Sequence, residues 1–295
     1  LNHPPTAVGG IRELNFLRAL SRLPLKDEAV SDVAYGRYDR GPAAASTHNS
    51  HKHRRNVMSK VFQFSSLIAL AVIICLTATP VAGQKGNDGA WTKEFVVEKS
   101  ELSATGRNPY FILEPGYQMV YERGKVRLVI TVLDETKLVD GVETRVVEEY
   151  GTKAGKLVEI SRNYFAISQG ANNVFYFGED VDIYKNGKVV SHKSAWLARV
   201  KGAMFGLMMP GKVRLKERYY QEIAPGVAMD RVEVVSLSEV VKTPAGEFKD
   251  CVKLEETTPL EPGVKDYKYF AAGIGMVQDG VLKLVKYGKI EKTAK

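Results

Sequence analysis

Few residues of this 295-residue chain have side chains that could activate a nucleophile or hold a metal ion. Beyond residue 83 there is one histidine, His192, and one cysteine, Cys251. Ser191 precedes His192, but successive strand side chains point to opposite faces, so the two do not form a Ser-His catalytic pair. One histidine and one cysteine cannot supply the three or four ligands that zinc takes. We predict no catalytic residue, no metal site and no cofactor.

Paired carboxylates are the remaining route to catalysis, because two acids are enough for glycoside hydrolysis. Glu148-Glu149 and Glu255-Glu256 both lie in segments of alternating residue type. In a strand only one member of each pair faces inward, so neither adjacent pair forms a catalytic dyad by itself. A carboxylate-based hydrolase stays open as an alternative that requires two acids about 5–10 Å apart in one cleft.

A methionine-rich apolar run lies between Gly202 and Gly211. Methionine adapts to irregular apolar shapes, so this run is suited to the mouth of a binding pocket. The residues that we predict to contact an apolar ligand are Met204, Phe205, Leu207, Met208 and Met209. The alternative is a strand or loop that fills the core.

A basic segment follows, in which Arg214, Lys216 and Arg218 occupy every second position. Because side chains alternate along a strand, we predict that these three lie on one strand face, where they would contact an anionic group. The alternative is a solvated face or a charged edge that prevents pairing with other sheets.

Residues 58–83 have the three parts of a secretory signal peptide: a lysine near the start, a mostly apolar run at 67–78, and small residues at the end. The run is shorter than the ~20 residues that span a membrane, so we predict export rather than a stable transmembrane anchor. We expect cleavage near Gly83 and a periplasmic or extracellular product. Residues 1–57 are then disordered or spurious upstream sequence; the alternative keeps them as a cytoplasmic arm.

Most of the basic charge lies in the segment that we expect to be removed. Residues 1–83 carry +5 of the net charge of +8, which leaves +3 on residues 84–295. Proteins that bind nucleic acid neutralise many phosphates with basic side chains, so this near balance predicts no nucleic-acid partner.

Beyond residue 106 the sequence has the pattern of strands joined by tight turns. Asp140-Gly141 and Asn186-Gly187 stand between alternating segments and suit the positive φ angles of type I′ hairpins. We predict an all-β, mainly antiparallel fold: a strongly curved sheet, an open barrel or a sandwich. The single domain spans residues 107–290, between a polar lead at 84–106 and a tail at 291–295.

Residues 243–253 read Thr-Pro-Ala-Gly-Glu-Phe-Lys-Asp-Cys-Val-Lys, and residues 269–277 read Tyr-Phe-Ala-Ala-Gly-Ile-Gly-Met-Val. The two segments resemble a P-A-G-x-F-x-x-C hairpin and a following Y-x-A-x-G-[IV]-G-x-V strand of uncharacterised bacterial exported proteins. The resemblance implies an open, highly curved antiparallel sheet similar to that of the periplasmic lipoprotein carriers.

These features together predict an exported, non-enzymatic β-protein that binds a lipid or another apolar or amphipathic small molecule in a concave sheet. Two alternatives stay open. One is a structural module of the cell envelope that binds a partner protein through a sheet edge, and the other is the carboxylate-based hydrolase.

Overall fold

The computed structural model describes residues 90–290. Regular structure in this range is extended, apart from a three-residue 3-10 turn at Lys99–Glu101. The predicted all-β, mainly antiparallel fold is confirmed, with sixteen strands in one large sheet. The predicted upstream segment, signal peptide and C-terminal tail lie outside the described residues. Within residues 90–290, no helix has the length and apolar character needed to cross a membrane.

The strands are numbered here in chain order. The first nine are β1 (Leu102–Ser103), β2 (Gly106–Asn108), β3 (Phe111–Leu113), β4 (Tyr117–Arg123), β5 (Val126–Val139), β6 (Val142–Lys153), β7 (Lys156–Ser168), β8 (Val174–Lys185) and β9 (Lys188–Ser191). The others are β10 (Trp196–Leu197), β11 (Met204–Met209), β12 (Arg218–Tyr220), β13 (Glu222–Ile223), β14 (Arg231–Thr243), β15 (Gly246–Thr257), β16 (Asp266–Ala271), β17 (Gly275–Asp279) and β18 (Leu282–Lys289).

Thirteen strands follow one another across the large sheet. Their order is β12-β14-β15-β16-β17-β18-β4-β5-β6-β7-β8-β11-β13. Strands β1, β9 and β10 pair with members of this path, and β2 pairs with β3 in a separate sheet. Most neighbours in the sheet are also neighbours in the chain, because hairpins connect them.

The two ends of this path meet at one residue, Gln221. Strand β12 ends at Tyr220 and β13 begins at Glu222, so the sheet is nearly closed into a barrel. The Gln221 side chain is buried, and its Nε2 donates a hydrogen bond to the Met208 carbonyl oxygen on β11 over 2.9 Å. A Cβ atom on Gly206 would lie 2.3 Å from the Gln221 carbonyl oxygen, so β11 needs glycine there to approach this closely.

Tight turns at both predicted positions connect the long strands. Asp140 and Gly141 have φ angles of 49° and 74° between β5 and β6, and Asn186 and Gly187 have 52° and 75° between β8 and β9. Two successive positive φ angles are the requirement of a type I′ turn, so the two predicted hairpins are confirmed.

The apolar core is built from alternation along the strands. Strand β5 buries every second residue of its first half and leaves the intervening ones more exposed. The buried residues of this row are Val126, Leu128, Ile130 and Val132. A period of two is what gives a strand one dry face.

Residues 90–97, called the strap below, pack against the sheet and pair with its edge at β12. The Thr92 amide donates to the Arg218 carbonyl oxygen, and the Tyr220 amide donates to the Thr92 carbonyl oxygen, so the strap pairs with β12. Farther on, the Phe95 ring meets Phe175 of β8 edge to face at 6.2 Å. The described part of the predicted polar lead is therefore packed against the domain, and its residues 102–103 form β1 against β7.

Candidate functional site

The methionine-rich run forms strand β11, and its five predicted ligand contacts separate into two groups. Leu207 and Met209 are buried in the core, as the core-filling alternative expects. Met208 is half-buried and its sulfur lies 3.2 Å from the Gln221 amide. Met204 is 46% exposed, and it lines a surface cleft together with the half-buried Phe205.

This feature, called the outer cleft below, has a volume of about 280 Å³. It lies between the strap, the 3-10 turn, the β5–β6 hairpin and the start of β11. Its lining residues are Lys93, Glu94, Phe95, Lys99, Asp140, Arg199, Ala203, Met204 and Phe205. Apolar and charged side chains thus meet in one concavity, which is the usual composition of a small-molecule site.

An aromatic cluster supports the apolar side of the outer cleft. The Phe205 ring stacks on Phe177 at 5.0 Å and meets Phe175 edge to face at 5.7 Å. Phe175 and Phe177 are both buried, so the rings that the cleft presents rest on fixed neighbours. Offset and edge-to-face rings attract each other beyond their buried area, which stiffens this wall.

The charged side of the outer cleft is organised around Asp140 at the tip of the β5–β6 hairpin. Its carboxylate lies 2.9 Å from the Lys99 Nζ and 2.9 Å from the Arg199 Nε. Burial alone would raise the pKa of Asp140, but the hydrogen bonds from these two cations outweigh it and hold the pKa below its ordinary value. Asp140 therefore stays ionised. Lys93 and Glu94 also line the cleft, so three cations and two carboxylates leave one net positive charge at the rim.

Sequence reasoning missed most of this cleft. Asp140 has a clear signal, but that signal is for a hairpin turn, and it does not reveal that Lys99 and Arg199 converge on the same carboxylate. Lys99 lies 41 residues before Asp140 in the sequence, and Arg199 lies 59 residues after it. Only the tertiary fold brings them together.

The three predicted basic residues do not share a strand face, which corrects that expectation. Strand β12 begins at Arg218, and Arg214 and Lys216 precede it, with Lys216 in a turn at a φ angle of 66°. Arg218 is engaged by the Glu233 carboxylate at 2.7 Å and lies over the Trp91 ring at 5.5 Å. Residues 211–217 are outside any strand, and the positive φ angle of Lys216 turns the chain there, so the alternation of β12 does not extend back to residue 214.

Acidic side chains collect on the inner face of β6, β7 and β8. Glu149 pairs across the strands with Ser161, and Glu179 pairs with Asn163. Glu159, Ser161 and Asn163 alternate along β7, and cross-strand partners share a face, so all three glutamates lie on one face. The Ser161 hydroxyl donates to the Glu159 carboxylate over 3.0 Å.

Charged groups from the far side of the sheet act on the same glutamates. Burial raises the pKa of Glu149 to about 7; Lys268 opposes this, while Glu159 and Asp279 add to it. Three strands separate β6 from β17, which carries Asp279, so these groups approach one another because the sheet curls. Burial, together with the charges of Glu159 and Glu149, holds the pKa of Glu179 well above its ordinary value.

The predicted orientation of the two acidic pairs is confirmed. Glu149 lies among the acidic side chains on the inner face. Glu256 is 3% exposed, and its carboxylate lies 2.8 Å from Lys268 Nζ. Glu148 and Glu255 each bind a basic side chain on the other face. Within residues 90–290, no three His, Cys, Asp or Glu side chains are placed to hold a metal ion. The observed chemistry of the inner acids is a raised pKa at Glu149 and a salt bridge between Glu256 and Lys268.

Comparison of the chain with protein-family models, curated proteins and solved structures finds no match in any of the three.

Proposed function

We propose that this chain is a non-enzymatic β-protein that binds an amphipathic anion in the outer cleft. The observation that carries the proposal is the meeting of an aromatic and methionine wall with a cationic rim in one cavity of about 280 Å³. That size is near the lower end for small-molecule sites, so the ligand class is a short acyl chain with an anionic head.

The apolar tail is assigned to the wall formed by Phe95, Met204 and Phe205. Met204 leaves 46% of its surface exposed in the free protein, and covering such apolar area is favourable by about 25 cal/mol per Å². Because Phe205 is already stacked on buried Phe177, little side-chain freedom is lost when a tail covers it.

The anionic head is assigned to Lys93, Lys99 and Arg199. The Arg199 side chain is 76% exposed although its Nε binds Asp140, so other nitrogens of the guanidinium remain accessible to a ligand. A carboxylate or phosphate would form charge-assisted hydrogen bonds there. The basic segment at 214–218 has no part in this assignment.

Isothermal titration calorimetry tests the proposal with three ligands of equal chain length, which are decanoate, decanol and decyltrimethylammonium. We expect decanoate to bind best, decanol more weakly and the cation least, because only decanoate satisfies both the wall and the rim. Equal affinities for decanoate and decyltrimethylammonium would contradict the assigned rim.

Two matched pairs of variants locate the site. Met204→Gln removes apolar wall, and we expect it to weaken decanoate binding roughly fivefold, about 1 kcal/mol. Leu215→Gln changes a similarly exposed apolar residue outside the cleft and should have no effect. Arg199→Gln should weaken decanoate but leave decanol unchanged, whereas Arg127→Gln, on the β4–β5 hairpin, should change neither. If each cleft variant binds decanoate as well as its control variant does, decanoate binds elsewhere.

We also propose that the protein acts after export, with the mature chain starting near residue 84 and with the bacterial exported proteins as its relatives. Export would place the outer cleft where envelope lipids and their breakdown products occur. Mass spectrometry of the secreted form should find an N-terminus near Gln84, and an intact residue 58 would contradict this. A pull-down from envelope fractions tests the alternative of a partner-binding module.

A further inference from the structure

A second concave surface lies on the outer face of strands β15, β16 and β17, away from the strands that line the outer cleft. Cross-strand pairing puts Tyr269 beside Lys253 on one side and beside Gln278 on the other. Tyr267 pairs with Glu255 in the same way, and it lies on the same face as Tyr269 because the two are two residues apart.

Tyr267, Tyr269 and Gln278 border a shallow groove of about 320 Å³, called the tyrosine groove below. Its lining residues are Lys265, Asp266, Tyr267, Tyr269, Gln278, Gly280 and Val281. Both tyrosines are only half-buried, so their rings are accessible along the groove. Two accessible rings on one face of one strand offer aromatic surface to a weakly polar ligand face.

Fixed hydrogen-bonding groups surround the two rings. The Glu255 carboxylate accepts hydrogen bonds from Lys265 Nζ at 2.7 Å and from the Tyr267 hydroxyl at 3.0 Å. Gln278 Nε2 donates to the Gly280 carbonyl oxygen at 2.8 Å, which orients the amide and leaves its Oε1 as an acceptor beside the rings. The groove therefore offers preset acceptors next to a stacking surface.

Three lysine side chains lie around the tyrosine rings. Lys253 Nζ lies 4.4 Å from the centre of the Tyr267 ring and 5.5 Å from that of Tyr269. Lys265 stands at the groove, and Lys283 pairs with Gln278 in the next strand. The carboxylates near these cations are Glu255, its cross-strand partner Glu233, and Asp266 in the groove lining. Lys265 is already paired with Glu255 at 2.7 Å. Lys253 makes no salt bridge within residues 90–290, so its ammonium group is the cation left for an anionic ligand.

We propose that the tyrosine groove binds an acidic saccharide. One C–H face of a pyranose ring packs on Tyr267 and Tyr269, its hydroxyl groups bond to Gln278 and Glu255, and its carboxylate pairs with Lys253. Stacking alone would also suit a nucleobase, but a nucleic acid needs a track of cations for successive phosphates, and the cations here surround one short groove. This site goes beyond the proposed function and uses different strands.

Titration of the protein with tetragalacturonate, followed by calorimetry, tests the proposal, with maltotetraose as the neutral saccharide and a thymidine tetranucleotide as the nucleic acid. We expect tetragalacturonate to bind most tightly, maltotetraose more weakly, and the galacturonate affinity to fall as salt rises. Tighter binding of the tetranucleotide, or no binding of tetragalacturonate, would overturn the proposal.

Variants in the groove separate stacking from charge. Lys253→Gln should weaken tetragalacturonate roughly tenfold and leave maltotetraose unchanged, because a charge-assisted contact is lost. Lys125→Gln, in the β4–β5 turn, is the matched control and should bind normally. Tyr267→Ser should weaken the binding of both saccharides. Tyr267→Phe keeps the ring and should retain most of the binding. The denaturation midpoint of Tyr267→Ser shows whether its fold is intact.

Binding at the two surfaces is independent, so their failures can be distinguished. Arg199→Gln should weaken decanoate and leave tetragalacturonate unchanged, and Lys253→Gln should do the reverse. If Lys253→Gln and Lys125→Gln bind tetragalacturonate equally, the tyrosine groove is not the site.

Discussion

Replacing Glu149 by glutamine should stabilise the protein at alkaline pH and leave its stability nearly unchanged at acidic pH. The inner face raises the pKa of this carboxyl to about 7 from the ordinary 4.5, chiefly by burial. Because the folded state holds the proton more tightly than the unfolded chain, unfolding releases a proton between those two pH values. Stability therefore falls as pH rises through this window.

The size of the effect follows from the shift in pKa. Each pKa unit corresponds to 1.36 kcal/mol, so ionising Glu149 in the folded state costs up to about 3 kcal/mol. Glutamine is neutral at every pH and has nearly the same shape as the protonated acid. We expect Glu149→Gln to match the wild type at pH 5 and to exceed its unfolding free energy at pH 8.5 by as much as about 3 kcal/mol.

Urea denaturation at pH 5 and pH 8.5 measures this difference, and Glu148→Gln is the matched control. Glu148 is adjacent in sequence but lies on the other face, where its carboxylate accepts a hydrogen bond from Arg162 at 3.3 Å. The control should show no gain at pH 8.5. Equal effects of Glu149→Gln at the two pH values, or a loss of stability at pH 8.5, would refute the reasoning about the raised pKa of Glu149.

Two further perturbations test the closure of the sheet and the rim of the outer cleft. Gly206→Ala should cost about 2–4 kcal/mol of unfolding free energy, because its new methyl group would overlap the Gln221 backbone, whereas Gly170→Ala meets open space and should cost little; calorimetric melting of both variants decides this. Asp140→Asn should lower stability by about 1 kcal/mol at pH 7, because the carboxylate loses its two basic partners. The pKa of Asp140 is depressed in the fold, so this gap should close as pH falls through the folded pKa; a gap that persists in urea melts at pH 2.5 would contradict it.

The fold class could be predicted because strands and hairpins leave local signals. Asp140-Gly141 and Asn186-Gly187 identify type I′ turns from two residues each, and both have the positive φ angles expected. Alternation likewise predicts that only one member of each pair, Glu148-Glu149 and Glu255-Glu256, faces inward. The structure identifies the inward members as Glu149 and Glu256. These predictions need no knowledge of distant parts of the chain.

The candidate sites could not be predicted because they depend on register and curvature. The outer cleft joins the strap to residues more than 100 positions later, and nothing near Phe95 in the sequence indicates that contact. The inner glutamates of β6, β7 and β8 meet the charge of Asp279, which β17 brings from the other side of the curled sheet. The basic segment failed for a local reason: pairing with the strap begins at Arg218, and the turn at Lys216 ends the alternation.

Gln221 links the two ends of the sheet, and this has a consequence for the order of folding. Its contacts with β11 can form only when the hairpins on both sides have reached their final curvature, because β12 and β13 are anchored to opposite ends of the strand path. We expect this junction to consolidate after the rate-limiting step. Weakening it should then shorten the lifetime of the native protein much more than it slows refolding.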